Sequence, residues 1–500
     1  MTAYNKIATQ VSAELQPIIA AFSEVLDQNP DAPAVEQGDV VRSYRQLSEA
    51  AQRIADQLLN AGVISGQRLA LDLPRSIALY ETILGCLVAG ISFMALPRGL
   101  DQTKGLETAK KANCVGVLSN NPLFPGDGIA ITDIGRFFKL AECTQTPAKD
   151  SKTGVEIYCV RTSGTTGEPK VVPINSGQLT AFLDNTQQTL AAPKYAKWLW
   201  IHDLSFDFSI WETFGCLAHN GCLVILDEHI KRDAKATFAL MVKAGVNILS
   251  VTPSEFRYIF SQANNQHCVE SLHLTDVIFC GEKLSPSTLL AVFDELSRHR
   301  VRLFNTYGPS EATVFCSHHL ISKADLELES IPIGKPFPGM KFELVAINEL
   351  GVGELVLRGA QVFDGYLGGE LITDGYHTSD MCQVVGQGKF VCLGRSSGYQ
   401  KINGFRVEPY EVEEYLQSIP NIDEAVVLVE NSHQGSFLMA CIRVQKGAQL
   451  STRDLRLACS KLPPYLRPAR YLLLNDDKWP VNDRGKTDRL ALRRSTCGEI

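Results

Sequence analysis

Apolar β-rich runs alternate with longer amphipathic stretches over about the first 390 residues, which limits the fold class more than any other feature. Residues 68–73 have the pattern of a strand, and residues 76–88 that of a helix. Further along, residues 246–251 and 276–279 predict buried strands with helical stretches between them. Strands and helices that alternate in this way form sheets covered by helices, so we expect an α/β protein.

The pattern changes twice towards the C-terminus. Residues 353–366 contain short β runs and frequent glycines, which favour a small β subdomain. After Gly394 we expect a helix at 408–417, a strand at 424–430 and a helix at 452–462. The sequence therefore predicts a core at 1–396 and a mobile α+β C-terminal domain at 397–500, joined by a flexible Ser-Ser-Gly link.

Composition limits the function classes. The net charge of -7 gives no reason to expect nucleic-acid binding, which favours basic patches. The 14 cysteines form no CxxC pair in this long chain, so we expect reduced thiols rather than a disulfide framework. Neither a signal peptide nor an apolar run long enough to span a bilayer is recognisable. These observations predict a cytoplasmic protein with no membrane partner.

A short loop rich in hydroxyls and glycines has the composition of a phosphate-binding segment. Glycine lets the backbone approach a ligand closely, and backbone N–H groups and hydroxyls can surround phosphate oxygens. An exposed linker is an equally good interpretation of this loop alone, and the pattern is not that of a P-loop. The loop consists of Thr162, Ser163, Gly164, Thr165, Thr166, Gly167, Glu168, Pro169 and Lys170.

Four further segments contain residues suited to nucleotide chemistry, although each has a simple structural explanation when taken alone. In residues 305–313, Tyr307 offers a face for a planar base and Glu311 a hard oxygen ligand for Mg²⁺. Asp380, followed later by Gly394 and Arg395, could accept hydrogen bonds from ribose hydroxyls. The last two segments are residues 401–408 and residues 482–489, which contain Lys486.

Taken together, in this order and at these separations, the five segments resemble the adenylate-forming superfamily. That superfamily includes non-ribosomal peptide synthetase adenylation domains, acyl-CoA synthetases and firefly luciferase. The resemblance covers nearly the whole chain, with weaker matches such as 353–359 and 365–367 between the segments. It implies a large N-terminal domain of two α/β subdomains plus a small β-barrel, and a small α+β C-terminal domain hinged near Ser397.

The resemblance also implies roles for individual residues, with ATP and Mg²⁺ as cofactors. Lys486 should bridge the substrate carboxylate and the α-phosphate, and Lys401 should face the site during thioester formation. Glu311 should bind Mg²⁺, while Asp380 and Arg395 hold the ribose. The loop Thr162 to Lys170 should hold the β- and γ-phosphates. Tyr307 should stack on adenine with the Gly281-Glu282 turn alongside, and Asn305 and Thr306 should also belong to the ATP site.

Residues 206–212 resemble a segment that amino-acid-activating members of the superfamily carry. Asp207 stands where those members place the carboxylate that binds the substrate α-ammonium. An ammonium is costly to desolvate unless a carboxylate meets it, so an anion here selects amino acids. The same resemblance gives the remaining pocket residues as Phe208, Trp211, Ser254, Ile278, Cys280, Thr306, Val314 and Phe315. This set is most similar to threonine-activating pockets, although serine or alanine remains possible.

The expected product is an aminoacyl-adenylate, which then passes to a thiol. No segment resembles a carrier domain, so we expect a free-standing enzyme that loads the phosphopantetheine of a separate carrier protein, or coenzyme A. The alternatives are an acyl-CoA ligase for a simple acid, a D-alanine–carrier protein ligase and an inactive nucleotide-binding scaffold. Several positions depart from the superfamily pattern: Arg161, Val171, Ser379 and Ser397.

Overall fold

The computed structural model describes most of the chain in segments. They are residues 16–97, 102–121, 128–132, 134–140, 154–162, 170–261, 269–328, 330–395, 400–402, 405–407, 409–432, 435–445, 447–474, 479–480 and 492–493. Within these segments the chain divides into two compact units, and the division falls between residues 395 and 400. Whether the second unit moves as a catalytic domain stays a prediction.

Among the described residues of the first unit, the largest sheet has nine strands with a parallel centre. Its central strands are rich in apolar residues and almost entirely buried, as expected for parallel strands covered on both faces. In spatial order the strands are Lys335–Pro336, Ser317–Leu320, Arg302–Tyr307, Asp276–Phe279, Ile248–Val251, Lys197–Trp200, Cys222–Ile225, Pro33–Gln37 and Val40–Ser43.

A second sheet of seven described strands also has a parallel centre. Its strands are, in spatial order, Ile129–Ile131, Gly135–Lys139, Gly116–Ser119, Arg68–Asp72, Ser92–Ala95, Glu156–Thr162 and Lys170–Asn175. The predicted strand at 68–73 is thus found, and the helix predicted at 76–88 is observed at Ile77–Ala89. That helix begins where the Ser76 hydroxyl accepts from the Leu79 N–H at 3.2 Å, and it ends at Gly90, whose φ is +65°.

Helices accompany both sheets of the first unit. The α-helices are Gln16–Gln28, Tyr44–Asn60, Ile77–Ala89, Gln102–Lys111, Ser176–Thr189, Phe208–Ile210, Cys216–Ala218, Glu228–Lys231, Ala234–Ala244, Pro253–Ser261 and Phe293–Arg298. A π-helical turn spans Trp211–Gly215, and short 3₁₀ turns include Ser310–Ala312 and Lys323–Glu327. Among the described residues, no helix combines the length and apolar character needed to cross a membrane.

A four-stranded antiparallel sheet completes the described part of the first unit, where the glycine-rich pattern predicts a small β subdomain. Its strands are Met340–Val345, Val352–Gly359, Tyr376–Val385 and Lys389–Arg395. The α/β class with a small additional β sheet is therefore confirmed. The cysteines in the described segments form no disulfide with one another, and most of them are buried.

The second unit has an α+β composition within its described residues. Its strands are Gln400–Ile402, Phe405–Val407, Ile422–Ser432, Gly435–Val444 and Arg470–Leu474, and its α-helices are Pro409–Gln417 and Thr452–Cys459. The last helix is shorter than the predicted 452–462, because a chain turn follows Ser460 and a 3₁₀ turn forms at Pro464–Leu466. A core that includes Val412, Ala440 and Leu455 packs the helices onto the sheet.

Candidate active site

The predicted substrate residues follow the carboxyl ends of neighbouring parallel strands in the nine-stranded sheet. Asp207 comes after strand Lys197–Trp200, and Ser254 comes after strand Ile248–Val251. Cys280 directly follows Asp276–Phe279, the strand that pairs in parallel with Ile248–Val251. The carboxyl ends of parallel strands share one edge, so residues distant in sequence gather there, as ligand sites of α/β sheets commonly do.

An aromatic cluster forms the part of this edge around Trp211. The Trp211 ring centroid lies 4.8 Å from that of Trp198 and 5.5 Å from that of Phe315, in edge-on arrangements. Its indole N–H donates to the Ser250 hydroxyl at 3.0 Å, which satisfies its polar atom. A Cβ at Gly215 would lie 2.5 Å from the Trp211 ring, so this position in the π-helical turn requires glycine.

Asp207 lies at the start of the short helix Phe208–Ile210 and is 8% exposed. Burial mainly, and the Asp207 charge in addition, raise the pKa of the Tyr158 hydroxyl, so the two side chains share an electrostatic environment. The neighbouring Phe208 is buried, and its ring centroid lies 6.3 Å from that of Phe315. A nearly buried carboxylate therefore stands beside an aromatic wall.

The hydroxyls of Ser254 and Thr306 are already hydrogen-bonded to the protein. Ser254 donates to the Glu282 carboxylate at 2.7 Å, and Thr306 donates to the Phe279 carbonyl at 2.8 Å. Burial raises the pKa of Glu282, although the hydroxyl and the backbone N–H of Ser254 both donate to its carboxylate. Both residues belong to the predicted pocket, and in this arrangement their hydroxyls offer a substrate lone pairs rather than protons.

Val314 and Phe315 follow a tight approach of two backbone segments. Thr313 and Val314 have φ values of +57° and +68°, which is uncommon for β-branched residues and stores backbone strain. A Cβ at Gly308 would lie 2.3 Å from the Phe315 Cα, so the glycine of the Tyr307-Gly308 pair allows this contact. The other predicted pocket residues, Ile278 and Cys280, are buried on strand Asp276–Phe279 or directly after it.

The predicted adenine and ribose residues contact one another. The Tyr307 hydroxyl donates to the Asp380 carboxylate, and burial together with that carboxylate raises the pKa of Tyr307. The Asp380 backbone N–H donates to the Thr378 hydroxyl at 3.0 Å. Ser379 has a φ of +59°, which glycine adopts without strain and which explains why the superfamily pattern has glycine there. Asp380 also lies directly across the strand pair from Arg395.

The side-chain amide of Asn305 is hydrogen-bonded within the protein. Its side-chain amide donates to the carbonyls of Ile331 and Pro332, at 3.2 and 2.8 Å. Gly281, beside Glu282, has a φ of +91° and so allows a turn that other residues rarely adopt. Asn305 therefore positions the end of its strand, while Tyr307 at the end of the strand carries the polar contact with Asp380.

Tyr366 joins two predicted site residues that sequence reasoning left unconnected. Its hydroxyl donates to the Glu311 carboxylate at 2.7 Å, and the Lys170 ammonium lies 4.7 Å from its ring centroid. Glu311 is fully buried. Its carboxylate suits Mg²⁺, which proteins usually bind through one or two carboxylates plus substrate phosphates. No group of three or more metal-ligating side chains occurs in the described segments. The sequence signal for Tyr366 was only its place in the weaker Gly365-Tyr366-Leu367 match.

Several predicted residues lie outside the described part of the chain. Thr162 and Lys170 face each other across a strand pair and flank the predicted phosphate loop. The strands that contain Arg395 and Lys401 are described, but their side chains are not. The residues outside the described segments are Ser163, Gly164, Thr165, Thr166, Gly167, Ser397, Gly404 and Lys486.

Comparison with known proteins gives consistent matches. The sequence model of the family described as AMP-binding enzyme matches residues 22–367. The chain is 30% identical to syringomycin synthase SyrB1 of Pseudomonas syringae pv. syringae, over 100% of this chain and 85% of that protein. It is 31% identical to the dimodular nonribosomal peptide synthase of Bacillus subtilis (strain 168), over 94% of this chain but only 21% of that protein.

Solved structures agree with the fold. Holo-PA1221, an NRPS protein containing adenylation and PCP domains, matches with a TM-score of 0.77 and 25% identity, over 96% of this chain and 84% of that chain. The adenylation domain AlmE of Vibrio cholerae, in complex with glycyl-adenosine-5'-phosphate, matches with a TM-score of 0.79 and 21% identity, over 97% of this chain and 98% of that chain. The second likeness is one of fold.

Proposed function

Because the chain belongs to the AMP-binding enzyme family and is an adenylating enzyme of the ligase class that uses ATP, we propose that it activates a small L-amino acid. The product is the aminoacyl-adenylate, and pyrophosphate is released. The acyl group then passes to the phosphopantetheine thiol of a separate carrier protein. Threonine is the favoured substrate, and serine and alanine are the next candidates.

The position of Asp207 is the observation that carries this proposal. The carboxylate is 8% exposed and adjoins Phe208, so little water remains to solvate a partner charge. An α-ammonium loses most of its hydration on entering such a site and regains it only through a charge-assisted bond. A plain carboxylic acid has no group to offer Asp207, which argues against the acyl-CoA ligase alternative.

The adenylation step needs its reactants aligned and their negative charge offset. The substrate carboxylate attacks the α-phosphorus, a P–O bond to pyrophosphate breaks, and no side-chain nucleophile is required. Tyr307 would stack on adenine, and Asp380 with Arg395 would hold the ribose. Lys486 would lie between the carboxylate and the α-phosphate.

Mg²⁺ would be held by Glu311 together with ATP phosphates, and it would supply positive charge to the departing pyrophosphate oxygens. Tyr366 would orient the Glu311 carboxylate through its 2.7 Å hydrogen bond. Lys170, above the Tyr366 ring, adds a positive charge next to the predicted phosphate loop. The buried Glu311 carboxylate and the Lys170 ammonium therefore both contact Tyr366.

Two features support a small substrate with a hydroxyl. Trp211 and Phe315 are fully buried and pack against each other, so the aromatic wall leaves little room for a long side chain. The Thr306 hydroxyl donates to a backbone carbonyl and can therefore only accept from a substrate. A threonine or serine hydroxyl is a donor of the right kind, whereas alanine would leave this acceptor without a partner.

The relatives support the same class of reaction. AlmE is described with a glycyl-adenosine phosphate, and PA1221 combines an adenylation domain with a PCP domain. The dimodular synthase is more than four times as long as the segment that this chain matches. A carrier protein as the acceptor is therefore the simplest proposal, with coenzyme A and D-alanine transfer as the alternatives.

A panel of amino acids and simple acids in ATP–pyrophosphate exchange tests the proposal. We expect exchange with L-threonine to be fastest, exchange with L-serine next, and little with hexanoate or benzoate. Exchange with simple acids but not with amino acids would overturn amino-acid activation. Best activity with phenylalanine or leucine would keep amino-acid activation but overturn the small pocket, and no exchange with any acid would favour the scaffold alternative.

A further inference from the structure

A buried histidine links two segments that carry predicted substrate residues. His202 is 2% exposed and lies just after strand Lys197–Trp200. Its Nδ1 lies 2.9 Å from the Glu212 carboxylate, and its Nε2 lies 2.8 Å from the Glu255 carboxylate. Sequence reasoning gave neither glutamate a role. His202 and Glu255 are 53 positions apart, so no local pattern connects them.

The hydrogen-bonding pattern requires His202 to be positively charged. Glu212 also accepts from the backbone N–H groups of Ile201 and His202, at 3.2 and 3.1 Å, so both of its oxygens act as acceptors. Glu255 accepts from the Thr252 N–H at 3.1 Å and pairs with the Lys231 ammonium at 2.9 Å, so it is ionised. Because His202 lies between accepting oxygens on both sides, both ring nitrogens donate, as they do in an imidazolium.

Charge balance supports the same protonation state. The groups alternate in sign from Glu212 through His202 and Glu255 to Lys231, and they sum to zero when His202 is charged. Burial opposes this charge, but the carboxylates of Glu255 and Glu212 outweigh it and raise the pKa of His202 to about 9. Burial acts to raise the pKa of Glu255, but the positive charges of His202 and Lys231 outweigh it and hold this pKa well below its usual range.

The location of this ion network connects it to the substrate site. Glu212 lies one residue after Trp211, in the π-helical turn that follows Asp207 and Phe208. Glu255 lies one residue after Ser254, in the helix Pro253–Ser261. The His202 ring centroid is also 4.8 Å from that of Phe208. His202 thus contacts Phe208 directly and, through Glu255, is bonded to the segment that carries Ser254.

We propose that His202 is a positioning residue that ties the Asp207–Trp211 segment to the Ser254 segment and thereby sets the affinity for the amino acid. The proposal rests on the amino-acid activation proposed above. Without the imidazolium, the two buried carboxylates would face each other with no cation between them. They would repel, and the two walls would separate even though Asp207 itself is unchanged.

The test compares His202→Gln with a matched control, His319→Gln. His319 is another buried histidine paired with a carboxylate, that of Asp325 at 3.0 Å, but it contacts neither pocket wall through this pair. For His202→Gln we expect the KM for the amino acid to rise at least tenfold, while the KM for ATP stays within about twofold. For His319→Gln both KM values should stay near those of the wild type, whatever the thermal stability.

The pH dependence separates a charged tie from simple packing. The titratable groups that face His202 are Glu212 and Glu255, and Lys231 lies beyond Glu255. Two cations are also near: the Arg75 guanidinium and the Lys231 ammonium both donate to the carbonyl of the adjoining Ile201. The pKa of His202 is raised on folding, so its stabilisation is complete below the unfolded pKa of about 6.5. It is lost as the pH rises through about 9.

The Tm difference between wild type and His202→Gln should therefore be largest near pH 6 and should shrink at higher pH. A Tm difference that stays constant from pH 6 to 9.5 would overturn the charged tie. An unchanged KM for the amino acid, or equal rises in both KM values, would overturn the positioning role. If His202→Gln does not fold, Glu255→Gln keeps the shape and removes one charge, and it should raise the amino-acid KM in the same direction. A wild-type enzyme that activates no amino acid would instead refute the proposed function.

Discussion

The two sides of the candidate site in the first unit are built differently. On the amino-acid side, Trp211 and Phe315 pack as fully buried rings, and one carboxylate, Asp207, stands beside them. On the nucleotide side, polar groups bond to one another, as Tyr307 does with Asp380. If the proposed roles hold, we expect shape and a single charge to select the amino acid, and a preassembled polar network to receive the nucleotide.

Replacing Lys486 tests whether the two sides of the site in the first unit suffice for adenylation without a residue from the second unit. Lys486→Ala should reduce pyrophosphate exchange by at least about a hundredfold, because it removes the charge predicted to stabilise the transition state. It should still convert a supplied aminoacyl-adenylate to thioester. The superfamily resemblance also implies that Gly404 lets the pantetheine arm pass close to the backbone. Gly404→Leu should therefore do the reverse, retaining exchange but losing transfer to the carrier, because the leucine side chain would block that arm.

Exchange and carrier loading must be measured on both of these variants. Opposite losses would support a division of labour within the second unit, with Lys401 facing the site during transfer. Equal loss of both activities in both variants would contradict that division. The second unit would then act on both half-reactions in one arrangement.

Asp207→Asn tests the amino-acid side alone. The amide keeps the shape but loses the charge, so we expect kcat/KM for the amino acid to fall roughly ten- to a hundredfold, since a charge-assisted bond contributes about 1.5–3 kcal/mol. The KM for ATP should change little. A comparable loss of ATP affinity would show that the two sides are coupled and would contradict the view that they act separately.

Tyr366→Phe tests the acid on the nucleotide side. The variant keeps the ring beneath Lys170 but loses the hydroxyl that donates to Glu311 at 2.7 Å. Loss of a group that hydrogen-bonds to a metal ligand commonly lowers metal affinity about tenfold or more, so the apparent Mg²⁺ affinity should fall by about that factor. Calorimetric titration of ATP with and without Mg²⁺ measures this separately from turnover.

Tyr44→Phe is the matched control for that experiment. Tyr44 is also buried and donates its hydroxyl, at 2.7 Å, to the Gly221 carbonyl. Its loss should lower stability without changing the Mg²⁺ dependence. Equal Mg²⁺ dependence in wild type and Tyr366→Phe would mean that the tyrosine does not orient Glu311.

Much of the fold could be predicted because local patterns specify it. The strand Asp276–Phe279 ends in three consecutive apolar residues, and the helix Ile77–Ala89 has Ser76 at its start and Gly90 at its end. Element ends were less predictable: the strand predicted at 424–430 extends over Ile422–Ser432. Its ends are set by pairing with Gly435–Val444, which is a tertiary contact rather than a local preference.

The site was predictable as a set of motifs but not as a set of contacts. Residue type indicated Glu311 as a possible ligand for Mg²⁺ and Asp380 as a possible acceptor for ribose hydroxyls, whereas Asp207 was indicated only by the resemblance to amino-acid-activating members of the superfamily. The sequence could not show that the Ser254 hydroxyl is bonded to Glu282, or that His202 pairs with Glu255. Such pairs join different strand ends, and only the folded sheet brings them together.

Tyr307→Phe gives the smallest expected effect and tests the polar network most directly. The variant keeps the ring for stacking but removes the hydroxyl that donates to Asp380. A carboxylate has about four lone-pair sites, so Asp380 can keep the Tyr307 bond and still accept from both ribose hydroxyls. If that bond persists in the complex, its loss only loosens the carboxylate, and the KM for ATP should rise by less than about fivefold, near 1 kcal/mol. A lower KM would mean that ATP must break the bond, so that the nucleotide side exchanges partners on binding. The KM for the amino acid should stay constant in either case, because Asp207 and the aromatic wall make no use of this hydroxyl.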